Sequence, residues 1–317
     1  VLQIDQSFIM TYDYPVCFDR DVFAPENMLF EDILSRAGNG PHRVLPVIDS
    51  QVLEVHTDLL DRIEHYANIH GDRIELIDPP LIVRGGEICK TDPTEVQEFY
   101  SRTQTDNIDR HSFVLVIGGG AVIDAIGYAA ATAHRGIRLI RMPTTVLGQN
   151  DAGIGVKNAV NYRGRKNYLG CFTAPYAVIN DFDFLESLPD RERVSGIAEA
   201  VKVSLIRDAE FFNWLHSHRQ QLSRFEREQS EYMVVRCAEL HLKHIRTSGD
   251  PFEQGSARPL DFSHWGAHRL EEMSDGELRH GEAVAIGVAM DSLYSYLNGM
   301  ISKESVIRIR ETLEGVG

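Results

Sequence analysis

Residues 113–133 decide most of what this chain can fold into. Residues 113–117, FVLVI, are continuously apolar and rich in β-branched side chains, the composition of a strand covered on both faces. Gly118, Gly119 and Gly120 follow at once, and residues 121–133 then carry small apolar side chains at helical spacing. A strand that turns through glycines into a helix belongs to α/β folds. It also brings backbone N–H groups and a helix N-terminus close enough to hold a pyrophosphate. Taken alone, the triplet equally fits a bare tight turn. It is not GxGxxG, and no acidic residue follows about twenty positions on, where the usual dinucleotide fingerprint places one.

The next segment adds chemistry. A strand over 137–142 ends at Pro143-Thr144-Thr145, and a polar loop is expected beyond it. That loop holds Asp151, Lys157, Asn161, Arg163, Arg165, Lys166 and Asn167, interleaved with Gly153, Gly155 and Gly164. Four cations fall within ten residues here, which suits a phosphorylated polyol or, more plainly, a solvated surface loop. The formal charge of the whole chain is −15, which argues against a nucleic-acid binder. Any phosphate site must therefore be a local basic island, and 157–166 is one.

Alternation of strands and helices up to about residue 182 predicts a mostly parallel sheet. Residues 7–18 read as one or two short strands, 44–48 as a strand with Asp49 at its C-terminal end, and 55–70 as one helix. After Leu188-Pro189 the pattern changes to helices over 190–207, 209–221, 227–247, 263–273 and 281–298. Cys17, Cys89, Cys171 and Cys237 are far apart with no CxxC pair, so neither a disulfide framework nor a cysteine zinc site is indicated. A reducing, cytoplasmic setting is expected. No apolar run of membrane length and no signal-peptide pattern is present.

GGGAVIDAIGY, HRGIRLIRMPTT, DAGIGVKNAVN and GRKNYLG, in that order and spacing, resemble the dehydroquinate synthase superfamily, the sugar phosphate cyclases. IAEAVK at 197–202 and DFSHWGAH with RHGEAVAIG between 261 and 287 extend the likeness over most of 44–290. The resemblance implies an N-terminal doubly wound α/β domain at 1–182 that binds NAD. An α-helical domain that binds metal and substrate is implied at 183–317. Helices beyond Gly317, with a further basic phosphate contact, are expected in a complete member.

Residue by residue, the resemblance assigns Asp49, Glu87 and Lys90 to the adenosine part of NAD, with Gly119, Gly120, Asp124, Thr144 and Thr145 completing the cofactor set. Without it, Glu87 and Lys90 read as an exposed ion pair of little energetic worth. Glu199, His264 and His280 match the family's Glu–His–His ligands for a divalent ion, zinc first and cobalt second. On spacing alone, His264 and His268 are also a metal-binding i, i+4 pair. Glu199 and Lys202 are likewise an i, i+3 ion pair worth about 0.2–0.5 kcal/mol. The resemblance gives His268 a substrate contact and makes Lys157, Lys202, Lys243 and Asp261 catalytic positions. Lys243 is preferred over nearby His241 on an ungapped count to His268. Asp151, Lys166, Asn167 and Arg258 match substrate or phosphate positions. Arg135 matches an arginine that reaches the neighbouring subunit, so a homodimer is implied.

The reaction so implied is cyclisation of a phosphorylated seven-carbon sugar with loss of phosphate, NAD being recycled. Asp261 stands where quinate-forming members usually carry Asn, and RPLDFSHW looks closer to the branch that makes valiolone-type cyclitols from sedoheptulose 7-phosphate. Dehydroquinate synthase proper is one alternative. A metal-dependent alcohol dehydrogenase of the glycerol dehydrogenase type, which needs no basic island, is another.

Overall fold

The computed structural model describes residues 1–248, 252, 259–274 and 277–317. Arg258 therefore lies outside the described residues. The first half is built on β1 (Val16–Asp19), β2 (His42–Asp49), β3 (Ile74–Leu76), β4 (Leu81–Val83), β5 (Phe113–Gly118), β6 (Arg138–Pro143), a hairpin of β7 (Lys157–Tyr162) and β8 (Arg165–Phe172), and β9 (Ala177–Asp181). Between them run α1 (Leu29–Ser35), α2 (Ser50–Val55), α3 (Leu59–Ile69), α4 (Ile88–Thr91), α5 (Thr94–Thr105) and α6 (Gly120–Thr132). Seven strands form one parallel sheet in the order β1-β9-β6-β5-β2-β3, with β4 also paired to β2.

Every residue of β5 is buried, and its alternation divides two cores. Phe113, Leu115 and Ile117 pack with Phe30 of α1 and Leu59 and Ile63 of α3. Val114 and Val116 pack with Phe99 of α5 and Val122 and Ile126 of α6. Helices on both faces of a parallel sheet are the doubly wound arrangement, and they explain why FVLVI has no polar side.

Three local readings change. Residues 7–15 carry no regular structure, and only Val16–Asp19 pairs, with β9. The helix expected over 55–70 is two, because Asp49 starts an earlier one by accepting a hydrogen bond from the Gln51 N–H at 2.9 Å. The polar loop after Thr145 is a π-helical turn, Gly148–Ala152, followed by an antiparallel hairpin. Arg163 and Gly164 turn that hairpin with φ of 49° and 77°, both positive as a two-residue I′ turn requires. Arg141, fully buried in β6, holds the base of the loop: it donates to Gly153 O at 3.1 Å, Gly155 O at 2.7 Å and Asn158 Oδ1 at 2.6 Å.

Among the described residues from Asp183 on, the regular structure is helical: α7 (Asp183–Glu186), α8 (Asp190–Arg207), α9 (Ala209–Ser223), α10 (Arg227–Thr247), α11 (His264–Met273), α12 (His280–Leu297) and α13 (Lys303–Val316). The central helix is α8, buried continuously from Ser195 to Ser204. Two glycines of α12 set how closely its neighbours approach. A Cβ on Gly281 would lie 1.8 Å from Ser195 O of α8, and one on Gly287 would lie 2.7 Å from Ser263 O. Those contacts bring the starts of α11 and α12 together over α8. Among the described residues no helix is long and apolar enough to cross a membrane.

Candidate active site

The parallel sheet ends its strands at one edge, and ligands of such sheets gather there. Asp49 ends β2, Gly118 ends β5, and Thr144 follows β6 with its N–H donated to Gly118 O at 3.0 Å. Gly119 is the N-cap of α6 and supplies no side-chain cap. A Cβ on Gly119 or Gly120 would only touch Thr145 or Ala152 at 3.4 Å. The first turn of α6 thus offers backbone N–H donors and positive helix-dipole charge to a cleft. That cleft is lined by Asp49, Gly119, Gly120, Thr144, Ser195 and His280, so it runs from the sheet edge to the helical domain. Burial raises the Asp49 carboxyl above its usual value, against hydrogen bonds from the Gln51 and Gly119 N–H groups.

Lys90 is buried rather than exposed. Its Nζ donates to Asp124 Oδ2 at 2.7 Å and to Asn167 Oδ1. Glu87 accepts from Asn161 Nδ2 at 2.7 Å. Glu87 and Lys90 therefore each find partners elsewhere and tie α4 to the hairpin. Burial pushes the Asp124 carboxyl up, with Lys90 pulling it back.

On the helical side, Glu199 and Lys202 face inward from α8. Lys202 Nζ lies 2.5 Å from Glu199 Oε1, and it donates to Leu260 O at 2.9 Å and stands 3.3 Å from His264 Nδ1. Glu199 is 1% exposed, yet neither of its carboxylate oxygens accepts a hydrogen bond of good geometry. Burial raises its pKa, against the charge of Lys202. His264 opens α11 and His280 opens α12, with their ring centroids 5.4 Å apart. Burial, then the charges of Lys202 and His280, hold His264 down at about 3. A buried carboxylate whose Oε2 has no partner, a neutral imidazole and a second imidazole close by are, by their chemistry, a donor set that fits a divalent cation.

Asp151, from the π-helical turn, adds a second carboxylate. Its Oδ1 lies 3.0 Å from His241 Nδ1. Burial opposes its ionisation, but His241, Lys202, His264 and Lys157 together hold its pKa below the usual range. His241 was passed over by the sequence reasoning, and so was Glu271 of α11. Glu271 accepts from Lys166 Nζ at 3.0 Å and has its Oε2 3.0 Å from His280 Nδ1.

Of the remaining assigned residues, Lys243, Asp261 and Arg135 lie outside this group, and His268 borders it. Lys243 is exposed on α10 and borders a separate groove with Tyr12, Arg236 and Arg246. Two residues along a helix turn a side chain to the opposite face, so His241 and not Lys243 meets Asp151. Asp261 is exposed and borders a groove with Leu205, Trp265 and Ser292. His268 is exposed, its centroid 5.6 Å from that of His264 and 5.7 Å from that of His280. Arg135 is exposed with φ of 65°, in the turn after α6.

A parallel-sheet domain with a glycine-lined helix start, set across one cleft from a carboxylate–imidazole group in a helical domain, defines a class of two-domain proteins with a dehydroquinate synthase-like fold. Residues 80–195 match the 3-dehydroquinate synthase N-terminal family and residues 196–317 the 3-dehydroquinate synthase C-terminal family. The chain belongs to the 3-dehydroquinate synthase family. It is 35% identical over 235 residues to the 3-dehydroquinate synthase of Shewanella halifaxensis (strain HAW-EB4), a match that spans 74% of this chain and 65% of that protein's length. Among solved structures, it is similar to 2-epi-5-epi-valiolone synthase ValA from Streptomyces hygroscopicus subsp. jinggangensis 5008, which has NAD+ and Zn2+ bound. That likeness has a TM-score of 0.86 and 28% identity, over 99% of this chain and 83% of the other. A 2-deoxy-scyllo-inosose synthase complexed with carbaglucose-6-phosphate, NAD+ and Co2+ shares the fold, with a TM-score of 0.79, 23% identity, and coverage of 95% and 78%.

Proposed function

We propose that this chain is an NAD- and metal-dependent sugar phosphate cyclase that converts a heptulose phosphate, sedoheptulose 7-phosphate first, into a carbocycle with elimination of phosphate. The observation that carries the reading is the single cleft from Gly119 and Gly120 to His280, which puts a dinucleotide-binding edge within reach of a metal-type donor set. Asp49 and the start of α6 would hold NAD, and Glu199, His264 and His280 would hold a divalent cation, zinc or cobalt. Bound NAD supplies reversible oxidation of a hydroxyl carbon, and the cation supplies Lewis acidity.

The chain's own residues do the rest. Lys202 holds a fixed ammonium beside the metal ligands, suited to stabilise oxygen charge as it develops on the substrate. Proton handling falls to His241, whose Nδ1 lies 3.0 Å from the Asp151 carboxylate. Lys157, Lys166 and Asn167 bring the hairpin's polar groups to the phosphate side. Burial of Glu199 and Lys202 excludes water around that pair and raises the weight of each charge. We place the boundary between the two units at 182/183. A homodimer, with exposed Arg135 reaching its neighbour, is part of the same reading.

The valiolone-type substrate is favoured by the likeness to ValA across the length of this chain. Asp261 does not carry this preference, because it borders the separate Trp265 groove. The Shewanella relative favours a second reading, 3-dehydroquinate synthase. Phosphate release from sedoheptulose 7-phosphate and from the carboxylated heptulosonate phosphate, each with NAD and zinc present, separates the two. Faster release from the first is expected. Faster release from the carboxylated sugar makes the chain a dehydroquinate synthase.

A further inference from the structure

Glu271 joins the β7–β8 hairpin to the helical half of the molecule. It sits on α11, is 6% exposed, and has both carboxylate oxygens engaged. Oε1 accepts from Nζ of Lys166 at 3.0 Å, and Lys166 comes from β8, 105 residues earlier. Oε2 lies 3.0 Å from Nδ1 of His280, on the next helix. An ionised carboxylate only accepts, so Nδ1 of His280 carries the proton and Nε2 keeps its lone pair. Fixing the tautomer and ring plane of a ligating histidine through a carboxylate is how outer partners tune metal sites.

We infer that Glu271 is a positioning residue that presents His280 Nε2 to a metal ion while holding the hairpin lysine Lys166 against the same site. The inference rests on the proposed ligand role of His280. One rival exists on purely geometric grounds. His268, Glu271 and His280 each offer an atom within 4.8 Å of the others, so Glu271 is itself within reach of a ligand role. Three observations favour positioning. Both Glu271 oxygens already have partners on other elements, whereas Glu199 Oε2 has none and Oε1 has only its ion pair with Lys202. Nδ1 of His280 is committed to Glu271, which leaves Nε2 for an ion. His268 is exposed, unlike the buried Glu199.

The role also joins two halves of the molecule. Lys166 would otherwise be a half-exposed cation at the end of a two-stranded hairpin. Paired with Glu271, it draws β8 over the helical domain, so the arm expected to meet phosphate and the arm expected to hold metal share one anchor.

The test uses cobalt(II) alone, added to the metal-free full chain without substrate and read by chelator competition and by its visible absorption. Glu271→Ala should weaken cobalt binding about 10–100-fold, the usual cost of losing such a partner. Glu271→Gln, which keeps an acceptor for Nδ1–H, should recover most of that loss and leave the intensity of the cobalt bands as in wild type. His264→Ala should abolish binding and His268→Ala should leave it within about twofold. Should Glu271→Ala fail to fold, the Gln variant and His268→Ala still decide. Wild-type affinity in Glu271→Ala overturns the inference. So does a loss in His268→Ala as large as in His264→Ala, or a change of band intensity in Glu271→Gln, since either makes Glu271 a ligand. A Glu271 effect on cobalt in a protein that releases no phosphate from any heptulose phosphate overturns the functional reading and leaves this role standing.

Discussion

Glu199 and Lys202 stand three residues apart on α8, their Oε1 and Nζ 2.5 Å from each other, and neither is more than 2% exposed. On a surface helix such a pair is worth a few tenths of a kcal/mol. Here it is a buried charge pair, and the sign of its importance changes. Removing one partner strands the other in a poorly solvated interior.

Lys202→Met should therefore destabilise the metal-free protein by about 3–5 kcal/mol, the usual cost of breaking a buried pair. Zinc should restore part of that loss, because a cation supplies the counter-charge that Glu199 has lost. Denaturation curves with and without zinc check this. The gain from zinc should be larger in Lys202→Met than in wild type, and equal gains would separate Glu199 from the metal.

Gly281 offers a packing test with an internal control. Alanine there puts a methyl 1.8 Å from Ser195 O, a backbone atom that cannot step aside. Overpacking of this kind costs about 1–3 kcal/mol, and it should also displace His280 at the next position. Gly266, on α11, has nothing within 4 Å of its notional Cβ. Gly266→Ala should be neutral or stabilising by up to about 1 kcal/mol, from helix propensity alone. Urea melts and cobalt content of the two variants should diverge, and parallel behaviour would refute the packing account.

Acid should unfold the metal-free protein partly through His264. Its folded value of about 3 lies below the ordinary histidine value of 6.5, so the unfolded chain binds more protons throughout that interval. Stability contributed by the neutral ring is then present above 6.5 and lost as pH falls toward 3. The slope from this group approaches 1.4 kcal/mol per pH unit at most, as an order of magnitude. His280 is shifted the other way: burial lowers it, but the hydrogen bond and charge of Glu271 outweigh that and raise it. Its contribution is present below 6.5 and lost as pH rises through its folded value, so the two do not share a window. Melts of wild type and His264→Asn between pH 4 and 6.5 should show a flatter dependence in the variant. Superimposable curves would contradict it.

The sheet was legible because β5 has no polar face, and because its odd and even residues are both apolar. The hairpin was not, since its outward strand is polar and exposed along most of its length; only the Arg163-Gly164 turn signalled it. Glu199, His264 and His280 come from three helices, so spacing could not unite them and only the motif likeness did. His241 was lost to an ungapped count that ignored helix faces. The buried stripe of α10 runs through Val234, Cys237, Ala238 and His244, and a heptad from Val234 falls on 241, not 243. Nothing in RLEEM sets Glu271 apart from Glu272 except that it lies seven residues after His264, on the same helix face.

In the proposed reaction, hydride chemistry and phosphate loss share one cleft with no net redox change. The most direct measurement follows inorganic phosphate and the NADH absorbance band together, with sedoheptulose 7-phosphate as substrate and NAD and zinc present. Phosphate should accumulate over many turnovers while the NADH band does not grow. NADH rising in step with substrate consumption, without phosphate, would contradict the account and make the chain a dehydrogenase.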